Sequence, residues 1–220
     1  SSFQFEVPYA DVTTTGMLPT GRTRRDVTGI GDVAALLSIN LIGAPTMDLE
    51  GYQAFRESPR AILGASVKIV APTGQYDADR LINIGTNRWA VRARLGYAQP
   101  LRDTRWVLEL AIGTWLFEDN DEFLGERRKQ DPVTAIDFSV IRRFRPGFWG
   151  SLDFNYYLGG RSTFIGEKGE DFQRNSRYGF TVAFPIKGRH AIKASFSNGI
   201  TVQSGDDYQT FAVSYIYRIN

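Results

Sequence analysis

Apolar and polar residues alternate most regularly between Val133 and Leu158. Polar side chains stand at positions 151, 153 and 155, and large apolar side chains at 152, 154, 156 and 158. A repeat of two residues is typical of a β-strand with one apolar and one polar face. The segment 135–140 alternates in the same way, and turn-forming residues at 142–147 separate the two segments. The pattern predicts an antiparallel hairpin with an aromatic face and an ionisable face.

The same period recurs along the chain and predicts about ten strands. They lie near residues 3–9, 34–41, 61–71, 89–98, 105–117, 133–142, 149–158, 178–184, 192–197 and 211–217. Connections near 99–105, 143–149 and 186–190 are short, whereas those near 72–88, 118–132, 159–176 and 199–209 are long. Short turns at one end and long loops at the other are typical of outer-membrane barrels. We therefore predict an all-β protein, an antiparallel transmembrane β-barrel that forms a single domain over residues 1–220.

The apolar face has a different meaning in each of two architectures. In a soluble β-sandwich it would form the core, whereas in a membrane barrel it would contact lipid and the ionisable face would line a lumen. The alternation of connection lengths favours the barrel. On this interpretation the following aromatic residues face lipid: Phe138, Phe154, Tyr156, Phe180, Phe196 and Tyr215.

Two connections need separate predictions. Residues 11–32 are rich in threonine, arginine and glycine and are predicted to form a loop. Residues 46–58 are predicted to contain a short periplasmic helix, because Leu49, Tyr52 and Phe55 are spaced by three residues. This helix could be a surface turn or a flap under one mouth of the barrel, and the spacing does not distinguish the two.

Composition narrows the functional classes. The formal charge of +2 gives no reason to expect a nucleic-acid partner. There is no cysteine, which excludes disulfides and thiolate chemistry, and the one histidine, His190, is predicted to lie in a short turn. No apolar run approaches the roughly 18 residues of a membrane-spanning helix. We predict that the protein is not an enzyme and needs no cofactor or metal.

The ionisable face supplies the candidate site. Its predicted lumen-lining residues are Glu6, Asn40, Lys68, Arg92, Arg94, Glu109, Asp137, Asp153, Asn155 and Lys193. Tyr76 and Trp89, near the ends of neighbouring strands, are predicted to form an entrance. The charged residues could pair with one another and fill a narrow barrel, or they could line a pore, and the two arrangements can coexist.

Several short motifs carry a family resemblance. They are GIGD at 29–32, APTGQYD at 71–77, NIGTNRW at 83–89, QDP at 130–132, RPGFW at 145–149 and GGR at 159–161. With them the chain, from about Tyr9 to Tyr217, resembles the outer-membrane transporter family named for the MetA-pathway of phenol degradation. The resemblance implies a bacterial outer-membrane barrel that passes aromatic or other hydrophobic compounds. It also implies about twelve strands in family members, with further strands before the position of Phe3, so we expect this chain to carry ten of them.

Two functions are compatible with these expectations. The first is an outer-membrane channel or porin-like transporter for small molecules, with aromatic cargo implied by the resemblance. The second is a plugged structural or adhesion barrel whose long extracellular loops bind a partner. Either protein would lie in the bacterial outer membrane, in contact with the lipid bilayer and lipopolysaccharide, and would be inserted by the outer-membrane assembly machinery. The first would also bind a small-molecule solute.

Overall fold

The computed structural model describes residues 1–18, 21–44, 51, 55, 58–205 and 208–217, with backbone alone at 16–18 and 21–23. The strands are β1 (Ser2–Glu6), β2 (Tyr9–Leu18), β3 (Gly21–Ile30), β4 (Ala34–Ile42), β5 (Ile62–Val70), β6 (Ala90–Pro100), β7 (Trp106–Phe117), β8 (Asn120–Phe123), β9 (Glu126–Gln130), β10 (Val133–Arg145), β11 (Phe148–Gly159), β12 (Ser162–Phe164), β13 (Glu167–Lys168), β14 (Gln173–Lys187), β15 (His190–Thr201) and β16 (Thr210–Tyr217). Within the described residues, no helix is both long and apolar enough to cross a membrane.

Ten strands form one antiparallel sheet in the order β1-β4-β5-β6-β7-β10-β11-β14-β15-β16. The strand register places the apolar positions of each strand opposite the apolar positions of its neighbours. Phe138 lies opposite both Leu110 and Phe154, and Phe154 lies opposite Tyr178. Because cross-strand partners point to the same side of a sheet, the apolar residues of neighbouring strands share one face.

This apolar face is exposed. Leu152 is 69% accessible and Phe154 is 41% accessible. The buried apolar residues of the described chain are mostly small, such as Ala135 and Val107, and no large side chain among the described residues is fully buried. A soluble sandwich would bury its large apolar side chains between two sheets. A broad exposed apolar face instead requires an apolar surrounding such as lipid.

Aromatic side chains gather on this face beside the short turns. Phe148 contacts Phe144 and Phe184 with ring centroids 4.7 and 5.4 Å apart. The guanidinium of Arg142 lies 4.6 Å from the ring of Trp106. His190, the first residue of β15, is hydrogen-bonded to the hydroxyl of Tyr215 and lies beside the ring of Tyr217. Rings with polar partners are typical of the boundary between lipid and water.

The long connections carry structure of their own. β8 and β9 form a hairpin between β7 and β10, and β12 and β13 form another between β11 and β14. These hairpins join through pairing of β9 with β12 into a four-stranded sheet. The rings of Phe123 and Phe164 pack edge to face across it at 5.6 Å. The sheet therefore lies at the end opposite to the short turns.

The prediction of a loop at 11–32 is wrong for most of that segment. β2 and β3 form a two-stranded antiparallel hairpin over residues 9–30. Its cross-strand pairs are mainly polar: Thr13 Oγ1 donates to Asp26 Oδ1 at 2.6 Å, and Thr28 Oγ1 donates to Asp11 Oδ1 at 2.9 Å. A hairpin polar on both faces has no period of two in hydrophobicity, and its sequence therefore looks like a loop.

The predicted helix at 46–58 lies largely outside the described residues. Of that segment Gly51, Phe55 and Ser58 are described, and the first two have helical backbone. Phe55 lines a cavity of about 450 Å³ together with the short turn between β10 and β11. The existence of the whole helix, and its proposed location in the periplasm, stay predictions.

Candidate functional site

The register places all ten predicted lumen residues on one face of the ten-stranded sheet. Lys68 lies opposite Arg92, and Asp137 lies opposite Asn155. The other members of the set occupy positions in the same phase: Glu6, Asn40, Arg94, Glu109, Asp153 and Lys193. This face is opposite to the exposed apolar face, because residues of the other phase pair among themselves.

A cluster of charged residues spans β6 to β11 on this face. Arg92 Nη2 and Arg94 Nε each donate to Asp137 Oδ2 at 3.2 Å. Asn155 Nδ2 donates to the other oxygen of the same carboxylate at 2.8 Å. Asp137 is thus hydrogen-bonded on both oxygens, and two guanidinium groups share one negative charge.

The arginines reach Asp137 across β7 because β7 has a glycine at this level. Gly113 lies opposite Arg94 on one side and Ala135 on the other. A Cβ at Gly113 would lie 3.2 Å from Arg94 Cβ, 3.3 Å from Arg92 Nε and 2.9 Å from Ala93 O. Any larger residue would therefore occupy the space through which the two side chains pass.

The charges of Lys68 and Asp153 are satisfied in different ways. Lys68 Nζ donates to Glu6 Oε2 at 2.5 Å. Asp153 accepts hydrogen bonds from three hydroxyl groups, those of Ser139, Ser151 and Thr181, at 2.7, 2.9 and 3.2 Å. Within the described chain, Asp153 forms no ion pair. Mutual charge pairing accordingly accounts for part of this face, and hydroxyl groups for another part.

Inward-facing aromatic residues are a feature that the sequence reasoning missed. Trp115 and Phe117 continue the phase of Glu109 on β7, and their rings stack at 6.4 Å with an interplanar angle of 8°. Arg92 Cζ lies 5.7 Å from the ring of Trp115, and Arg88 Cζ lies 4.5 Å from the ring of Phe117. We call Arg88, Phe117, Trp115 and Arg92 the arginine–aromatic row. Extending the odd-numbered phase of β7 by two further positions would have located both rings.

A second arginine–aromatic pair joins Arg177 of β14 to Tyr208, which lies just before β16. Arg177 is 8% accessible and lies opposite Asn155. Its guanidinium is 3.9 Å from the ring of Tyr208 and donates to the backbone oxygen of Tyr208 at 2.6 Å. Tyr157 occupies the inward phase of β11, two residues beyond Asn155. Arginine side chains therefore lie against aromatic rings in two places near the long-loop end.

A cavity of about 400 Å³ opens beside this cluster. Its walls include Arg92, Arg94, Asp137, Asn155 and Tyr157, and hydroxyl groups from β14 and β15 complete it. A smaller cavity of about 200 Å³ lies between Arg94 and Glu109. Arg94 lines both cavities. Within the described residues, no group of three or more histidine or acidic side chains is placed to hold a metal ion.

The two predicted entrance residues have different surroundings. The Tyr76 hydroxyl donates to Glu122 O at 3.0 Å and accepts from Asn120 Nδ2 at 2.9 Å. Tyr76 also lines a cavity of about 150 Å³ with Arg88. Trp89, directly before β6, is 48% accessible. The structure therefore places Tyr76 next to the arginine–aromatic row and leaves Trp89 on the surface.

Comparison with known proteins identifies the family. A profile of the family described as "Putative MetA-pathway of phenol degradation" matches residues 2–217. The chain belongs to this family. The resemblance stated from the sequence motifs is thereby confirmed. A search of curated proteins found no match.

The fold of this member of the phenol-degradation family is also found among solved structures. A crystal structure of an outer membrane channel from Pseudomonas putida F1 is similar with a TM-score of 0.78 and 23% identity. The similarity covers 97% of this chain and 74% of that chain. The predicted fold class, an antiparallel transmembrane β-barrel with ten strands of this chain in the main sheet, is confirmed. The predicted outer-membrane localisation agrees with this fold.

Three motifs that carry the family resemblance meet at the long-loop end. Asp32 Oδ1 accepts from the backbone N–H of Gly74 at 2.8 Å, and Asp32 Oδ2 accepts from the N–H and the hydroxyl of Thr86 at 2.8 and 2.6 Å. A Cβ on Gly74 or Gly85 would lie 2.7 Å from the backbone of the other glycine. The motifs thus build a tight loop junction next to the mouth, which explains their aspartate and glycines.

Proposed function

We propose that this protein is a passive outer-membrane channel for small molecules. The observation that carries the proposal is the division of one sheet into an exposed apolar face and a face with charged and hydroxyl groups around a cavity of about 400 Å³. Lipid would surround the first face, with lipopolysaccharide in the outer leaflet, and water and solute would occupy the second. Insertion into the membrane would require the outer-membrane assembly machinery.

The ten inward-phase residues predicted from the sequence are proposed to line the channel. Charged and hydroxyl groups favour the entry of small polar solutes, because such groups replace part of the water lost on entry. Inward rings at Trp115, Phe117 and Tyr157 add surfaces on which an aromatic solute can lie. Tyr76, which lines a cavity with Arg88 at the long-loop end, is proposed as an entrance residue.

A second candidate is a structural or adhesion barrel with a closed lumen. The four-stranded sheet of β8, β9, β12 and β13 favours it, because paired strands present a more rigid binding surface than irregular loops. In that case the charged inner face would serve packing, as the Arg92–Asp137 and Lys68–Glu6 pairs do.

Single-channel recording distinguishes the two candidates. The purified protein is reconstituted into a planar bilayer in potassium chloride, and into liposomes for swelling in a small sugar, an amino acid and a phenolic compound. A channel gives stepwise currents and swelling that decreases with solute size. Correctly folded protein that gives neither current nor swelling would exclude the channel and leave the adhesion barrel.

A further inference from the structure

At the centre of the inner face, the hydrogen bonds leave part of one guanidinium group without a partner. Arg92 and Arg94 share one oxygen of Asp137, and the other oxygen is taken by the neutral Asn155. Among the described residues, no other hydrogen bond from Arg94 is found, so both of its terminal amino groups remain as donors. These donors are available to an anion that enters the adjoining cavity. Asp153, the second acidic residue of that cavity, accepts its hydrogen bonds from hydroxyl groups and from neither arginine.

The anion donors lie next to aromatic surfaces. The arginine–aromatic row connects Arg88 at the rim with Arg92 beside the cavity, through the stacked rings of Phe117 and Trp115. Tyr157 lines the same cavity as Arg92 and Arg94. Burial, followed by the charge of Arg128, lowers the pKa of Arg88 to about 10, so its guanidinium is still protonated at neutral pH. Both ends of the row are thus cationic.

The cavity is large enough for a single-ring molecule. Its volume of about 400 Å³ is within the range of small-molecule sites, roughly 300 to 1,000 Å³. Its walls provide guanidinium donors, hydroxyl groups and the carboxylates of Asp137 and Asp153, which are hydrogen-bonded to other wall residues. A carboxylate matches a guanidinium with two parallel hydrogen bonds, whereas a neutral phenol cannot use the positive charge.

We infer that the inner face binds aromatic carboxylates, with the carboxylate on Arg94 and Arg92 and the ring against Tyr157, which lines the cavity with them. That aromatic carboxylates are transported rests on the proposed channel function. That they bind rests on the arginine cluster and the neighbouring rings. Arg88 at the rim, and Arg92 and Arg94 beside the cavity, provide two successive cationic positions for an incoming carboxylate.

Calorimetric titration of the folded protein in detergent tests the binding site without requiring transport. The probes are benzoate, cyclohexanecarboxylate and benzyl alcohol. Benzoate and cyclohexanecarboxylate have the same charge and similar size. The difference between their affinities therefore measures the contribution of the aromatic ring of the ligand. We expect benzoate to bind about threefold to tenfold more tightly than cyclohexanecarboxylate, because aromatic pairs add to the contact area. Benzyl alcohol should bind more weakly than either acid.

Three variants separate the roles of charge and ring. Arg94→Ala leaves Arg92 to pair with Asp137 and should weaken the binding of both acids by about tenfold or more, since a charge-assisted pair is lost. Tyr157→Leu should weaken the binding of benzoate more than that of cyclohexanecarboxylate, so that the two affinities become more alike. Arg94→Lys keeps the positive charge and should weaken the binding of benzoate less than Arg94→Ala does. The circular dichroism of each variant checks that the β-structure is retained.

Matched controls replace the same residue types outside the site. Arg80→Ala removes a loop arginine whose side chain is 61% accessible, and Tyr156→Leu removes a tyrosine of the apolar face. Both should bind benzoate as the natural protein does. Equal affinities for benzoate and cyclohexanecarboxylate, or an Arg94→Ala variant that binds like Arg80→Ala, would overturn the inference.

Different results would exclude the binding site and the channel function. If the protein bound benzoate selectively but carried no ion current, the binding site would be supported and the channel function excluded. If it carried ion current but bound the two acids with equal affinity, the channel function would be supported and the aromatic-carboxylate site excluded. A channel of the expected kind would give a current that benzoate reduces at lower concentrations than cyclohexanecarboxylate does.

Discussion

At the scale of single residues, small side chains decide where the charges of the inner face can lie. Gly113 leaves room for Arg92 and Arg94 to cross β7 and reach Asp137. Beside this crossing, Gly96 and Ala111 lie opposite each other and keep the adjacent cavity open. A charged pair on non-neighbouring strands thus depends on the absence of a side chain on the strand between them.

This dependence predicts different outcomes for two glycines of the same face. Gly113→Ala places a methyl group 2.9 Å from Ala93 O, and we expect it to lower the free energy of unfolding by about 1 to 3 kcal/mol. Gly96→Ala would place its methyl group at ordinary distances, 3.6 Å from Ala111 Cβ and 3.8 Å from Arg94 Nη1. This substitution should change the free energy of unfolding by less than about 0.5 kcal/mol. Urea titration in lipid vesicles measures both. Equal stabilities would mean that the crossing tolerates a side chain.

At the scale of elements, a strand is recognisable from sequence when its two faces meet different surroundings. β11 alternates strictly because one face is exposed and apolar and the other carries Asp153 and Asn155. β2 and β3 pair with each other through threonine, aspartate and arginine, and neither face needs to be apolar. The sequence of this hairpin therefore predicts a loop, although the strands pair without a register shift.

The apolar face gives a prediction for the strands themselves. Phe154→Arg and Phe180→Arg should each make folding into a bilayer less favourable by about 2 to 4 kcal/mol if they lie near the midplane, because a guanidinium would face hydrocarbon. Phe154→Leu and Phe180→Leu keep the apolar character and are the matched controls. Folding efficiency in lipid vesicles at increasing urea concentration is the measurement. If the arginine and leucine variants folded alike, the assigned face would be the wrong one.

At the scale of the whole molecule, the two ends of the sheet have different structures. One end has short turns and a group of aromatic residues on the apolar face, including Phe144, Phe148 and Tyr217. The other end carries the β2–β3 hairpin and the four-stranded sheet. In outer-membrane barrels the short turns lie in the periplasm and the long loops outside the cell.

Cysteine labelling tests this orientation, and the natural chain has no cysteine to interfere. Glu170→Cys lies in the long connection before β14, and Arg189→Cys lies in the short turn between β14 and β15. Both native residues are exposed. A maleimide that cannot cross membranes should label the first variant on intact cells and the second only after the outer membrane is permeabilised. The reverse labelling result would mean that the protein has the opposite orientation in the membrane.

The sequence by itself determined the strands of the main sheet and the two faces of each. Alternation of side chains is a local property of extended backbone, so a period of two in hydrophobicity reports it directly. For this reason the ten inward-phase residues could be named before the structure, and the alternation of short and long connections predicted the barrel.

Only the tertiary structure decided which of these residues meet. Arg92 and Arg94 contact Asp137 across 45 and 43 residues of sequence and over an intervening strand. Their contact depends on the register of three strands and on the space at Gly113, and no local pattern specifies either. Pairing of β9 with β12 likewise joins two connections that each look like polar loops. Alternation specifies the direction of a side chain, whereas cross-strand register specifies its partner.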